Sequence, residues 1–541
     1  MSSVGRQTPA VFRQTRLAYP RTPALRSLST SSSTSAASLV GLSSPSTASC
    51  AALRTSNSSR TPAFRSREHS SSTRLAPISH ARSGPILSTR TLSTSTLTGA
   101  ENPSSLLVEH TVPANESESV SRIERLMELG DRLAASAGPD STPARMKPTG
   151  VFSRENAGSK LVQVQEGELE PLPKTRRMGD SYVQLDLRFS QDEQLREAYV
   201  GGLSKVRVGR LMEDFDGVAG AAAYRHVLPE GAEVDDATKH GFYLVTAAVD
   251  RMDMLRPLLN PDGSVPDLRL SAHVSFTSTS SLEVFCRLST LPSSPFEEAS
   301  TILIGRFAMA ARAFKGGKFN IPQLEVVGPE EEEMWKLGKE MREGKVARSS
   351  KSLEKTPPTA EEAALLHELF IQRAAVYDRQ APTPPNVIFM SDTRIKTALL
   401  AHPQERNQHG KIFGGYLMRM AYETAYATSC LFARSPVTFV ALDELVFRQP
   451  VEIGSLLMLD SRVTFSPMEG EHHSFHVSVE AATVDLQTGE KKVTNTFCFT
   501  FTADKPLERH VLPRSYKQAM AWLDAQRRRR VGIEIRKVYE H

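Results

Sequence analysis

Cysteine is scarce in this chain: Cys50, Cys286, Cys430 and Cys498 are the only four among 541 residues. No two of them form a CxxC pair. A disulfide framework and a metal site of thiolate ligands therefore have no support, and reduced, buried thiols are expected. Long apolar runs are missing as well, so no segment is expected to cross a bilayer as a helix. Within residues 1–100 lysine is absent and acids are reduced to Glu68 alone, against twelve arginines. Setting that segment aside leaves 54 basic and 60 acidic residues, although the whole chain carries a formal charge of +5. Nucleic-acid binding needs basic charge on the folded domain, and here the excess lies in the part least suited to fold. No nucleic-acid partner is expected.

The acid-poor segment is rich in Ser, Thr, Arg, Ala and Pro. That is the profile of an organelle transit peptide, and without an apolar core it is not a secretory signal. A disordered tail would have the same composition. The expected destination is the mitochondrial matrix. Residues 101–180 read as linker, with a short helix possible over 119–136.

Two globular units follow, at 181–320 and 386–505. Each presents a strand, a helix and then several strands, an α+β pattern. The helices are expected over 203–224 and 412–432. Strand-like runs occupy 242–256, 268–290 and 300–314 in the first unit and 437–449, 455–466, 473–486 and 491–502 in the second. Residues 321–385 read as a helical connector and 506–541 as a C-terminal helix and tail. The cluster Arg527–Arg530 suits the end of that helix, where cations meet the helix dipole, and reads as solvated. Ala248-Val-Asp250 followed by Pro257 recurs as Ala441-Leu-Asp443 followed by Pro450, 193 residues on. A repeat of domain size points to duplication.

The second helix is apolar on most sides, through Ile412, Phe413, Leu417, Met418, Met420, Ala421, Ala425 and Leu431. Such a helix is buried, and an antiparallel sheet wrapped around it is the natural partner. Arg419 and Glu423 supply charge in its middle, four residues apart. Before it lies Asn407-Gln-His-Gly-Lys-Ile-Phe-Gly-Gly415. Glycines at a helix start let another group approach the backbone, and the free N–H groups there attract developing negative charge. His409, Gly410, Gly414 and Gly415 are thus candidate substrate-binding or oxyanion residues; a tight turn with no ligand would leave the same trace. In the first helix most charges, Arg207, Arg210 and Asp214, fall on one face expected to be solvated. Asp216 falls on the other, among Met212, Ala219, Gly220 and Ala223. A carboxylate on an apolar face should be paired, hydrogen-bonded or functional.

Asn407-Gln-His-Gly-Lys-Ile-Phe-Gly-Gly415 resembles the Asn-x-x-Gly-x-Ile-Phe-Gly-Gly signature of the hot-dog acyl-coenzyme A thioesterases. Leu211-Met-Glu-Asp-Phe-Asp-Gly-Val-Ala-Gly220 is similar to the central-helix segment that carries an Asp in that family. The tandem arrangement and the acid-poor leader resemble its mitochondrial members. The resemblance covers roughly residues 180–505. It implies two tandem hot-dog domains, each an antiparallel sheet around a central helix, facing each other as a pseudo-dimer. It implies hydrolysis of acyl-coenzyme A to a fatty acid and free coenzyme A, with no metal or organic cofactor, in a homo-oligomer of the double unit. Asp216 is then the base or nucleophile, and Asn407 orients the thioester or water. Aligning the double glycine puts Tyr422 where the second half would need its Asp, and Val206-Arg-Val-Gly replaces the Asn-containing motif in the first. One competent site, shared between halves, and one dead site follow. Two other readings stay open: a hot-dog dehydratase or hydratase using His402 or His409, and a non-catalytic acyl-coenzyme A-binding protein.

Overall fold

The computed structural model describes residues 171–537, apart from short interruptions at 202–204, 293–298, 351, 354, 378–382, 408–409, 444 and 469–472, together with Arg132 and the pair 144–145. The transit-peptide segment, most of the short helix over 119–136 and His409 lie outside the described residues.

In chain order the elements are β1 (Ala144–Arg145), β2 (Thr175–Arg177), β3 (Val183–Leu187), α1 (Glu193–Tyr199), α2 (Val208–Val227), α3 (Asp236–Lys239), β4 (Phe242–Met254), β5 (Leu268–Thr277), β6 (Ser281–Thr290), β7 (Thr301–Ala313) and β8 (Gln323–Glu325). Then come α4 (Pro329–Ser350), α5 (Ala360–Tyr377), β9 (Val387–Phe389), β10 (Ile395–Leu400), α6 (Gly414–Ala433), β11 (Val437–Leu442), β12 (Leu445–Val446), β13 (Leu456–Phe465), β14 (Ser474–Val484), β15 (Lys491–Ala503), β16 (His510–Leu512) and α7 (Tyr516–Lys537).

One sheet runs through both halves in the order β1-β3-β5-β6-β7-β4-β11-β15-β14-β13-β10. Read outward from the middle, β4-β7-β6-β5-β3 is matched by β11-β15-β14-β13-β10, the same chain order in each half. Apart from the short parallel pair β1–β3, the pairings of this sheet within each half are antiparallel. The halves join where β4 pairs β11 and β12: Ala441 opposes Asp253, and Val446 opposes Ala248. A shift of 193 residues exchanges these two pairs. The duplicated Ala-x-Asp sequence therefore sits on a local two-fold axis, where Arg251 donates to both Asp253 and Asp443, all three buried.

Each half wraps its sheet around one helix, which is a hot-dog. Small side chains let the strands come close: Ala219, Ala222 and Ala223 in α2, and Ala421 and Ala425 in α6, are fully buried. Leu211, Met212, Phe215 and Val218 fill the first core, and Leu417, Met418 and Phe432 the second. Burial of each such large side chain contributes about 1.5–3 kcal/mol. Helix α6 ends at Arg434 in the left-handed region, whose N–H reaches Cys430. Arg509 donates to the last carbonyls, of Leu431 and Phe432, satisfying orphan acceptors where a cation is also favoured. Leu431 itself is exposed, unlike the rest of the apolar set named for this helix.

Two sequence expectations need correction. Asp214 is fully buried, not solvated, and the Tyr199 hydroxyl donates to it at 2.6 Å. The arginine cluster lies inside α7, which continues to Lys537, and it is engaged rather than free. Arg527 makes a two-pronged contact with Glu362 of α5 at 2.6 and 2.7 Å, Arg528 pairs with Asp524 at 2.8 Å, and Arg529 lies over Phe465. Helix α7 thus covers the outer face of the second half, with Trp522 against Phe465. Helix α4 does the same for the first half, through Trp335 against Phe276.

Candidate active site

The N-terminal turns of α2 and α6 lie side by side with opposite directions. Gly415 meets the Cα and carbonyl of Glu213, where an added Cβ would come within 2.9 Å, and Gly209 meets Arg419 and Tyr422, where it would come within 3.2–3.4 Å. These two glycines set the helix separation. Glu213 and Arg419 bridge the pair at 3.1 Å, with Arg210 also on Glu213 at 3.0 Å.

Asp216 sits one turn below this crossing. Its Oδ2 accepts the N–H of Gly415 at 2.6 Å, and its Oδ1 accepts the hydroxyl of Thr246, on β4, at 2.7 Å. The side chain is 2% exposed. Burial pushes the carboxyl up to about 6, against the pull of Thr246 and the Gly415 N–H, with Glu213 adding to the rise. A carboxylate with a pKa near neutrality is suited to general base work. Gly414 is the second point of close approach: a Cβ there would lie 3.0 Å from Asp216 Oδ2 and 3.3 Å from the Phe447 ring.

Asn407 is in the loop before α6. Its N–H reaches the carbonyl of Lys411 at 2.6 Å, and its Oδ1 accepts the N–H of Lys411 at 3.1 Å. Gly410, at φ +70°, donates to the carbonyl of Asn407. It is a turn glycine in a conformation that favours glycine. Gly415 differs from its expected role, because its N–H is already given to Asp216. The first-turn N–H groups of Gly414 and Tyr416 have no acceptor among the described residues. His402 is exposed, at the start of the short turn 403–405.

The loop before α2 has the same bonding. Gly201 donates to Lys205 as Asn407 does to Lys411, and Arg207 donates to Tyr199 as Phe413 does to Glu405. The bridge Val200–Val206 recurs as Arg406–Ile412, a shift of 206 residues (406 against 200). By that shift Gly201 stands where Asn407 stands, and Tyr422 where Asp216 stands. By the strand shift of 193, Phe439 stands where Thr246 stands. Tyr422 is buried and rests edge-on against Phe439 at 5.7 Å and Phe499 at 5.9 Å. The second position is filled with rings. Thr246 was not singled out from the sequence. The 193-residue repeat pairs it with Phe439, because carrying that shift back from Phe439 on β11 lands on Thr246 of β4.

Among the described residues no group of three or more His, Cys, Asp or Glu side chains could hold a metal ion, and no helix is long and apolar enough to cross a membrane.

No protein-family model matches the chain. It is 36% identical over 417 residues to acyl-coenzyme A thioesterase 9, mitochondrial, of Bos taurus, covering 76% of this chain and 90% of that protein. It is 35% identical over 410 residues to the Homo sapiens protein of the same name, covering 75% and 88%. Among solved structures, an acyl-CoA hydrolase from Staphylococcus aureus aligns at 23% identity and a TM-score of 0.26, over 28% of this chain and 97% of that one. On the strength of its long, near-complete match to curated relatives, the chain belongs to the acyl-coenzyme A thioesterase 9 family.

Proposed function

We propose that this thioester hydrolase cleaves acyl-coenzyme A at one composite site per chain, with Asp216 as general base. The observation that carries the reading is the bond from Gly415 N–H in one half to Asp216 in the other. Both carboxylate oxygens are held, one by Gly415 and one by Thr246, which restrains the group from moving to attack and favours a base over a nucleophile. Asp216 takes a proton from water as the water oxygen adds to the thioester carbon. The carbonyl oxygen becomes an oxyanion beside the start of α6, where the N–H of Gly414 can donate to it. Collapse breaks the carbon–sulfur bond, the acyl group leaves as a carboxylic acid, and the proton on Asp216 passes to the coenzyme A thiolate. Asn407 orients water or thioester from the preceding loop. This chemistry needs no metal or organic cofactor.

The position of Tyr422 holds no acid, so it is inactive. Of the two bases named for the hydratase reading, His402 is exposed and outside this constellation, and His409 lies outside the described residues. The chain is mitochondrial, as its relatives are by name, and the acid-poor leader supports the matrix. A fluorescent fusion of residues 1–100 tests this, and a diffuse cytosolic signal refutes it. A homo-oligomer of the double unit is proposed, and sedimentation of the intact chain tests it. The function is tested by thiol release from acyl-coenzyme A, comparing the parent with Asp216→Asn and Asn407→Ala. Unimpaired release by either variant removes that residue from the mechanism.

A further inference from the structure

The active position and its inactive counterpart differ in one more pair of residues. At the active position Gly414 is bare and the Phe447 ring lies against it. By the same shifts, Val208 stands in place of Gly414 and Met254 in place of Phe447. Val208 is buried, so its side chain occupies space that Gly414 leaves open.

Phe447 is held firmly. Its own N–H donates to Ala247 at 3.0 Å, next to Thr246 on the same strand. The preceding residues Leu445 and Val446 are paired to Val249 and Ala248, and Asn495 donates to the carbonyl of Val446. Arg448, on its other side, is tied through its N–H to Thr494. The segment thus crosses from the second half onto the first and presents a partly buried ring beside the carboxylate of Asp216. The ring is neither in the deepest core nor open to solvent. An aromatic face fixed at its backbone offers a rigid apolar wall. Its tip lies 3.3 Å from where a Cβ on Gly414 would be, so it bounds the space beside that glycine.

We infer that Phe447 is a specificity-determining residue: its ring limits bulk on the acyl carbon adjacent to the thioester carbonyl. The apolar wall matches acyl carbons rather than the amide-bearing thiol arm of the substrate, whose polar groups would be left without partners there. The inference rests on the composite-site reading above. A straight chain lies flat along the ring, whereas a methyl branch on the first carbon meets it.

Butyryl-coenzyme A and isobutyryl-coenzyme A are isomers that differ only in this branch, and they are the probes. Phe447→Ala should raise kcat/KM for the branched substrate relative to the straight one by roughly tenfold, the scale at which one methyl group is discriminated. Phe447→Leu, which keeps apolar contact with the strand, should shift the ratio in the same direction by less. Met254→Ala, at the inactive position, should leave the ratio where it is. An unchanged ratio in both Phe447 variants, with thiol release still measurable, overturns the inference. A shift produced equally by Met254→Ala overturns it too, since the effect would then come from general loosening of the seam. If Asp216→Asn hydrolyses both substrates at the parent rate, the composite site itself is wrong, an outcome that a failure at Phe447 alone does not produce.

Discussion

The carboxylate of Asp216 and the backbone N–H of Gly415 belong to different halves of the chain, 199 residues apart, yet lie 2.6 Å from each other. This bond ties the proposed base to the start of the facing helix. It also links folding of the interface to assembly of the site.

Asp216→Asn preserves size and hydrogen bonding and removes the base. Thiol release should fall by about 10²–10⁴-fold with the fold retained by circular dichroism. Asn407→Ala should also cripple turnover.

The pH dependence follows from the raised pKa of Asp216. The base works when ionised, so kcat/KM should fall as pH drops through about 6. Thr246→Val removes a bond that holds the carboxyl down, so this acidic limb should move to higher pH. A limb unmoved by Thr246→Val would detach the hydroxyl from the base.

Stability should run the opposite way. Because folding raises this pKa from 3.8 to about 6, the stability linked to Asp216 is fully present below about pH 4 and is lost as pH rises through about 6. Asp216→Asn escapes that loss. At pH 8 it should be more stable than the parent by something on the order of 2–3 kcal/mol, and the gain should vanish near pH 4. Denaturant titrations at the two pH values measure it.

Gly415→Ala would place a Cβ 2.7 Å from the Phe413 ring and 2.9 Å from the Glu213 backbone. The backbone cannot give as a side-chain end can, so α2 and α6 must part. A stability loss of about 1–3 kcal/mol and a steep loss of activity are expected, because the Asp216 bond stretches. Gly220→Ala in the same helix pair meets nothing within 4 Å and should be neutral or stabilising by up to about 1 kcal/mol.

Tyr422→Phe should leave turnover nearly unchanged, since it keeps the ring that packs on Phe439 and Phe499 at the position proposed to be inactive. A loss comparable to that of Asp216→Asn would show the second position to be a working site.

Much of this was legible in the residues. The all-round apolar character of 412–432 announced a helix enclosed by strands, and α6 spans 414–433. The isolated carboxylate of Asp216 stood out because its neighbours are Met and Ala. What stayed hidden was long-range. Asp214 looked solvated because helical spacing groups it with Arg207 and Arg210, but Tyr199, fifteen residues earlier, folds back to bury it. The engagement of Arg527 depends on Glu362, 165 residues away, which no local pattern reports. Thr246 and Phe447 become visible only when β4 and β12 are laid against each other.

The two shifts that relate the halves, 206 along the helices and 193 along the strands, differ because the chain takes a longer path from α2 to β4 than from α6 to β11. In a pair of identical subunits every substitution is made twice, once on each side of the axis, and neither copy can change alone. Joining the copies end to end lifts that constraint. Asp216 and Thr246 on one side of the axis can therefore face Tyr422 and Phe439 on the other, a polar pair opposite two packed rings.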